Sequence, residues 1–214
     1  IGDFMAQVAS NQVGATKLLE FLEERGLDSL MPLSRAINTR TEEAMRRAIG
    51  GLPDGEYSHE GFMDGYDEPL RIAVTLRIRG EELEVDFTGT SLQIEHGING
   101  VWNFTLAFTA FALKSALAPD LPNNEGILRP IRLTIPEGSF LNSRRPAPVA
   151  ARHITVSFIA AAVYGALAKA VPDRTPAGWG ALDCFVFAGF DPRRNEPFAS
   201  PDFLSCAAGS GAIG

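Results

Sequence analysis

The segment that decides the fold is residues 84–117, which read EVDFTGTSLQIEHGINGVWNFTLAFTAFALKSAL. It begins as a strand of alternating apolar and polar residues. It then passes through a Thr/Gly-rich turn and a polar loop, and it ends in a helix that is apolar on nearly every side. The loop separates two segments that must be buried, yet it concentrates polar side chains: Asp86, Thr88, Thr90, Gln93, Glu95, His96 and Asn99. We therefore expect a functional site in this loop.

A β-hairpin is predicted immediately before the loop, because apolar residues alternate with polar or small ones on both sides of Gly80-Glu81. A two-residue loop with Gly first is typical of a type II′ turn. This turn fixes a register that pairs Arg79 with Glu82, Arg77 with Glu84, Ile78 with Leu83, Leu76 with Val85, and Val74 with Phe87. In this register the charged pairs lie on the outer face and the apolar pairs lie on the inner face. The residues of both faces therefore support the same register. In this register Asp86 lies opposite Thr75, with no basic residue directly across.

The bulk composition excludes several classes of function. The chain has 214 residues with a formal net charge of -7, so it carries no basic footprint for nucleic acid or an anionic membrane. Cys184 and Cys206 form neither a metal-type spacing nor a disulfide framework, and a reduced, cytoplasmic setting is the default. We expect the chain to be a piece of a longer protein.

The fold class predicted from periodicity is α+β, with a helical leading segment followed by a mainly antiparallel sheet packed on two apolar helices. We divide the chain into a helical segment, 1–51, and an α+β core, 52–214. The two parts are also compatible with a single domain. Residues 101–117 and 154–171 are the two apolar helices, and Asn99-Gly100 is predicted as the N-cap of the first. Further strands are expected at 57–63, 131–135 and 182–188, and a small-residue tail at 207–214.

Three side chains have a functional and a structural interpretation from the residues alone. Asp86 either faces a ligand or caps the Thr88–Ser91 turn, since Asp and Thr side chains bond nearby backbone N–H groups. His96, beside Glu95, is either a metal or acid–base group or a solvated loop histidine. Arg152 either binds an anion at a helix start or is an ordinary surface arginine. The sequence has no phosphate loop ending in Lys-Ser/Thr and no nucleophile elbow.

Several motifs together resemble the hydantoinase B / 5-oxoprolinase family. They occur in the family's order along nearly the whole chain: DFMAQ at 3–7, LPDGEY at 52–57, VDFTGTS at 85–91, GIN at 97–99, PNNEGILRPI at 122–131, PEGSFLN at 136–142 and PAPV at 146–149. The His/Asp-rich segment of that family, where a metal is expected, would precede residue 1. The chain thus resembles roughly the middle of a B-type subunit.

The resemblance implies part of an ATP-dependent enzyme that opens cyclic amides such as hydantoins or 5-oxoproline, related to the acetone carboxylase large subunit. ATP would bind an A-type partner subunit or domain in a hetero- or homo-oligomer, and the full-length protein would be the place for a divalent metal. As candidate catalytic residues we take Asp86 and His96, and as candidate substrate ligands Thr88, Asn99, Asn123 and Arg152. No metal ligand is assigned within the chain. The alternatives are a non-catalytic assembly module, or a part of a related carboxylase. The isolated chain is expected to be inactive.

Overall fold

The computed structural model describes residues 1–176 and 183–204. Within these ranges the helices are α1 (Gly2–Arg25), α2 (Met31–Gly50), α3 (Trp102–Leu117) and α4 (Val156–Leu167), and the strands are β1 (Gly55–Met63), β2 (Leu70–Arg79), β3 (Glu82–Asp86), β4 (Ile131–Thr134), β5 (Asp183–Asp191) and β6 (Glu196–Leu204). Short 3-10 turns occupy 125–127, 152–154 and 172–174. No helix in the described ranges is both long enough and apolar enough to cross a membrane.

The chain divides into two compact units, residues 1–40 and 41–214. In the first unit α1 is capped by Gly26, whose left-handed backbone (φ 59°) lets its N–H donate to the carbonyls of Leu22 and Glu23. None of the residues of α1 is buried. The predicted division into a helical segment, 1–51, and a core, 52–214, stays a prediction.

The second unit contains a four-stranded sheet in the order β1-β2-β3-β4. The strands β1, β2 and β3 are antiparallel, and the register between β2 and β3 confirms the predicted hairpin from Thr75↔Asp86 to Arg79↔Glu82. Gly80 has φ 58°, as the first residue of a type II′ turn requires. β4 instead pairs in parallel with β3, because the chain crosses over through α3 before it returns.

The core lies between this sheet and the two later helices. α4 packs on β1 and β2, and α3 packs on α4. The inward residues of the hairpin are almost completely buried, and Phe87, Leu113 and Ile159 are among the largest buried side chains. This arrangement confirms the predicted α+β class.

Two predictions about α3 are wrong. Its N-cap is Val101, and no side chain caps it, so Asn99 lies too early in the chain to be the cap. The helix is also not buried all round, since Trp102 is 40% and Phe111 49% exposed. Thr105 and Thr109 are buried in their place. Their hydroxyls donate to the carbonyl oxygens of Leu141 (2.6 Å) and Thr105 (2.8 Å), which satisfies them inside the protein.

The last described elements also differ from prediction. The second apolar helix is shorter than expected, because a 3-10 turn at 152–154 precedes α4 and the helix ends at Leu167. β5 begins at Asp183 and pairs with β6, which the sequence did not reveal since Pro197 and Pro201 are unfavourable in strands. Residue 182 of the predicted strand and the predicted tail at 207–214 lie outside the described residues.

Candidate functional site

Asp86 ends β3 and fixes the start of the predicted site loop. Its Oδ1 accepts a hydrogen bond from the backbone N–H of Thr88 (2.9 Å), which makes an Asx-type turn. Its Oδ2 lies 3.2 Å from a guanidinium nitrogen of Arg77. Arg77 lies two residues along β2 from Thr75, the register partner of Asp86, and it also reaches Glu84 and Glu56. These contacts give Asp86 the turn-capping role that its sequence position allowed.

The same contacts decide the ionisation of Asp86. Burial raises the pKa of its carboxyl group, but hydrogen bonds from Thr88 and from Arg77 outweigh that effect and hold the pKa below its ordinary value. Asp86 is ionised at neutral pH, and a carboxylate with a lowered pKa is a weak proton acceptor.

The side chain of Asn99, within the loop, is completely buried. Its Nδ2 donates to the carbonyl oxygens of Ile94 (2.7 Å), His96 (2.9 Å) and Pro148 (3.0 Å), and its Oδ1 accepts from the N–H of Ile94 (3.0 Å). All of these partners are backbone groups. Asn99 therefore ties the loop to itself and to the segment before α4.

His96 lies at the surface of the same loop, with its ring stacked on Tyr66 at a centroid separation of 3.5 Å. The two rings line a cavity of about 500 Å³ that also includes Glu95 and Glu68. In the described parts of the chain, no group of three or more His, Cys, Asp or Glu side chains is arranged to hold a metal ion. The histidine therefore faces a cavity with an aromatic ring and carboxylates as its neighbours.

The two remaining predicted ligands lie at opposite ends of α3. Asn123 lines a cavity of about 370 Å³ beside the C-terminal half of the helix, together with Phe111 and Lys114. Arg152 lies over the ring of Phe104 in the first half, 5.8 Å from its centroid, and donates to the carbonyl oxygen of Val149. The rings of Phe104, Phe108 and Phe111 follow one another along the helix surface at 5.0 and 6.4 Å.

The structure thus brings Asp86 and Thr88 together and ties Asn99 to the backbone of His96. Asn123 and Arg152 lie apart from these two pairs and from each other. Three neighbours of the candidate residues were not predicted from the sequence: Arg77 beside Asp86, Tyr66 beside His96 and Phe104 beside Arg152. The contact between Arg77 and Asp86 could have been predicted from the hairpin register, because an arginine can reach a side chain two positions away on the facing strand. No local pattern in the sequence indicated the partners Tyr66 and Phe104.

Comparison with known proteins gives one consistent result. The family described as Hydantoinase B/oxoprolinase matches residues 1–214. The B-type subunit of a putative D-/L-hydantoinase from Pseudomonas sp. (strain NS671) is 38% identical over 203 residues, which cover 88% of this chain and 34% of the relative. The beta subunit of caprolactamase from Pseudomonas jessenii is 29% identical over 99% of this chain and 37% of its own length.

Solved structures agree. The crystal structure of the ATP-dependent caprolactamase from Pseudomonas jessenii aligns with a TM-score of 0.81 at 29% identity, over 92% of this chain and 35% of that one. A nucleotide-free acetone carboxylase structure shares the fold, with a TM-score of 0.65 at 17% identity, over 79% of this chain and 27% of that one. The chain therefore spans about a third of the length of these relatives.

Proposed function

This chain belongs to the hydantoinase B/oxoprolinase family, and from that premise we propose that it is part of the B-type subunit of an ATP-dependent cyclic amidohydrolase that works with an ATP-binding A-type subunit. The observation that carries the proposal is the 38% identity to the B-type subunit of a hydantoinase. The sequence itself supports the assignment of ATP binding to a different subunit or domain. It has no phosphate loop, so ATP would bind elsewhere in the assembly.

The geometry separates the two candidate catalytic residues. Asp86 is engaged by Arg77 and Thr88, and its lowered pKa makes it a poor base, so its role is to position Thr88 at the end of β3. The ring nitrogens of His96 form no hydrogen bond with another described residue, and the ring lines a cavity large enough for a small molecule. We assign the acid–base role to His96 and the positioning role to Asp86.

The test uses the full-length protein that contains this chain, combined with an A-type partner. We expect ADP release coupled to opening of a hydantoin, 5-oxoproline or caprolactam only when both proteins are present. His96→Ala should lower kcat by roughly 10²–10⁴-fold, the usual contribution of a general acid or base. The matched control is His153→Ala, an exposed histidine outside the loop, which should leave kcat unchanged.

Two results would contradict the proposal. ATP-dependent ring opening by the full-length protein without any partner would show that the reaction needs no A-type subunit. Equal kcat values for the His96 and His153 variants would move the acid–base site away from this loop.

A non-catalytic assembly role is favoured by a different observation, the half-exposed aromatic surface of α3. Phe111 and Trp102 are exposed although the helix is strongly apolar, and aromatic groups are enriched on surfaces where proteins associate. In this alternative the surface packs against the A-type subunit. Phe111→Ser would then weaken subunit association without changing the kcat of the assembled enzyme, whereas His96→Ala would change neither quantity.

A further inference from the structure

A single cavity of about 370 Å³ lies between α3 and the loop of residues 123–128. The α3 residues that line it have the spacing i, i+3, i+4, i+7 and i+8, which places their side chains on one face of the helix: Ala107, Ala110, Phe111, Lys114 and Ser115. The loop forms the opposite wall with Asn123, Asn124, Ile127 and Leu128. The cavity therefore has two walls of known origin, and its volume is within the range of small-molecule sites.

Most of the wall is apolar. On α3, Ala107 and Ala110 carry only a methyl group each, which leaves room beside the ring of Phe111. That ring is 49% exposed, although phenylalanine is a large apolar side chain. Ile127 and Leu128 line the cavity from the loop. These groups offer an apolar surface against which a flat ligand body is removed from water.

The cavity carries one positive charge. Of the described residues that line it, only Lys114 is charged. Its side chain is partly buried, yet between residues 1–176 and 183–204 its ammonium group forms no ion pair. Lys114 lies in the last turn of α3, where the partial negative charge of the helix end favours a cation. The charge is thus stabilised without a carboxylate, and its N–H groups can donate to a ligand.

The two neighbouring asparagines of the loop differ in their hydrogen bonds. Asn124 uses both ends of its amide, because its Oδ1 accepts from the N–H of Gly126 (2.8 Å) and its Nδ2 donates to the hydroxyl of Thr41 (2.9 Å). Within the described parts of the chain, the side-chain amide of Asn123 forms no hydrogen bond, although it lines the cavity. Asn124 therefore shapes the loop, whereas Asn123 keeps its N–H donors for a ligand.

We propose that this cavity binds a small monocarboxylate with a flat apolar body. The carboxylate accepts hydrogen bonds from the ammonium group of Lys114 and the amide of Asn123, and the body lies against the ring of Phe111. One positive charge in a mostly apolar wall matches one negative charge, and hydrogen bonds between charged groups are the strong ones. His96 lines a different cavity, so this site does not depend on the acid–base role given to that residue.

The experiment is calorimetric titration of the full-length protein with benzoate and with benzamide, an uncharged probe of matched shape. Benzoate should bind at least about tenfold more tightly, because a charged hydrogen bond contributes more than a neutral one. Lys114→Met should weaken benzoate binding roughly tenfold or more and leave benzamide binding unchanged. The matched control is Lys169→Met, because Lys169 lines a different cavity; it should leave both affinities unchanged.

Two further variants locate the bound molecule. Ala107→Leu places a larger side chain in the cavity from an exposed position of α3, so it should weaken the binding of benzoate and of benzamide alike. Asn123→Ala, also at an exposed position, removes a neutral hydrogen bond and should weaken benzoate binding several-fold. These variants serve where Lys114→Met lowers the yield of folded protein.

Three results would overturn the proposal. The first is undetectable binding of benzoate, or equal affinity for benzoate and benzamide. The second is an equal loss of affinity in the Lys114 and Lys169 variants. The third is unchanged benzoate binding in the Ala107→Leu variant, which would place the bound molecule outside this cavity.

Discussion

The hairpin of residues 70–87 and the loop of residues 88–100 are adjacent in sequence but are held in different ways. Every ladder pair of the hairpin joins residues close in the chain, across the Gly80 turn. The loop is held by partners far along the chain: Gln93 bonds the backbone of Arg144, and Asn99 bonds Pro148. The comparison shows that local pattern determines the hairpin, whereas the loop takes its shape from packing of the whole domain.

The largest effect should come from Asn99, whose hydrogen bonds join the loop to itself and to the distant Pro148. Asn99→Ala removes four hydrogen bonds made by a fully buried side chain to the backbone of Ile94, His96 and Pro148. We expect a loss of about 3 kcal/mol in the free energy of unfolding, since each of the lost hydrogen bonds contributes roughly 0.5–1.5 kcal/mol. Denaturant unfolding measures it. Asn123→Ala, at an exposed position, is the control.

A loss of only about 1 kcal/mol, the usual value for an N-cap, would contradict this prediction. It would also remove the contrast between the two regions, because the loop would then depend on Asn99 no more than a helix depends on its cap.

The hairpin offers the intermediate effect, at its turn. Gly80 has φ 58°, a region that costs residues with a Cβ about 1–2 kcal/mol. Gly80→Ala should lower the free energy of unfolding by that amount, because the turn has one permitted geometry in this register. Glu81→Ala in the same turn is the control and should change stability by less than about 0.5 kcal/mol. Equal losses in both variants would mean that the turn does not depend on the positive φ that glycine adopts at position 80.

The hairpin could be predicted from the sequence, whereas the surroundings of the site residues could not. The register from Arg79↔Glu82 to Thr75↔Asp86 follows from a period of two and one Gly-containing turn, and both are local properties. The surroundings of His96 and Arg152 could not be predicted, since Tyr66 and Phe104 are brought to them by the tertiary fold. The buried Thr105 was also unexpected, because its partner is the distant carbonyl of Leu141.

Asp86 stands at the boundary of the two regions, and its charge gives the smallest effect. Asp86→Asn keeps an oxygen for the N–H of Thr88 but loses the ion pair with Arg77. We expect a loss of about 1 kcal/mol near pH 7, in the range of a single partly exposed hydrogen bond. Asp120→Asn, an exposed carboxylate that forms no ion pair with Arg77, should change stability by less than about 0.5 kcal/mol.

The pH dependence of that loss separates charge from shape. The pKa of Asp86 in the folded protein lies below its ordinary value of 3.8, so the unfolded chain binds a proton before the folded one does. The stabilisation is therefore fully present above the ordinary value and disappears as the pH falls through the lower, folded value. The difference in unfolding free energy between the original protein and Asp86→Asn should be constant from pH 7 to about pH 5 and should shrink below about pH 4. A difference that does not change with pH would show that Asp86 holds the turn through the shape of its side chain and not through its charge. Asp86 would then be grouped with the hairpin, whose conformation is set by local geometry.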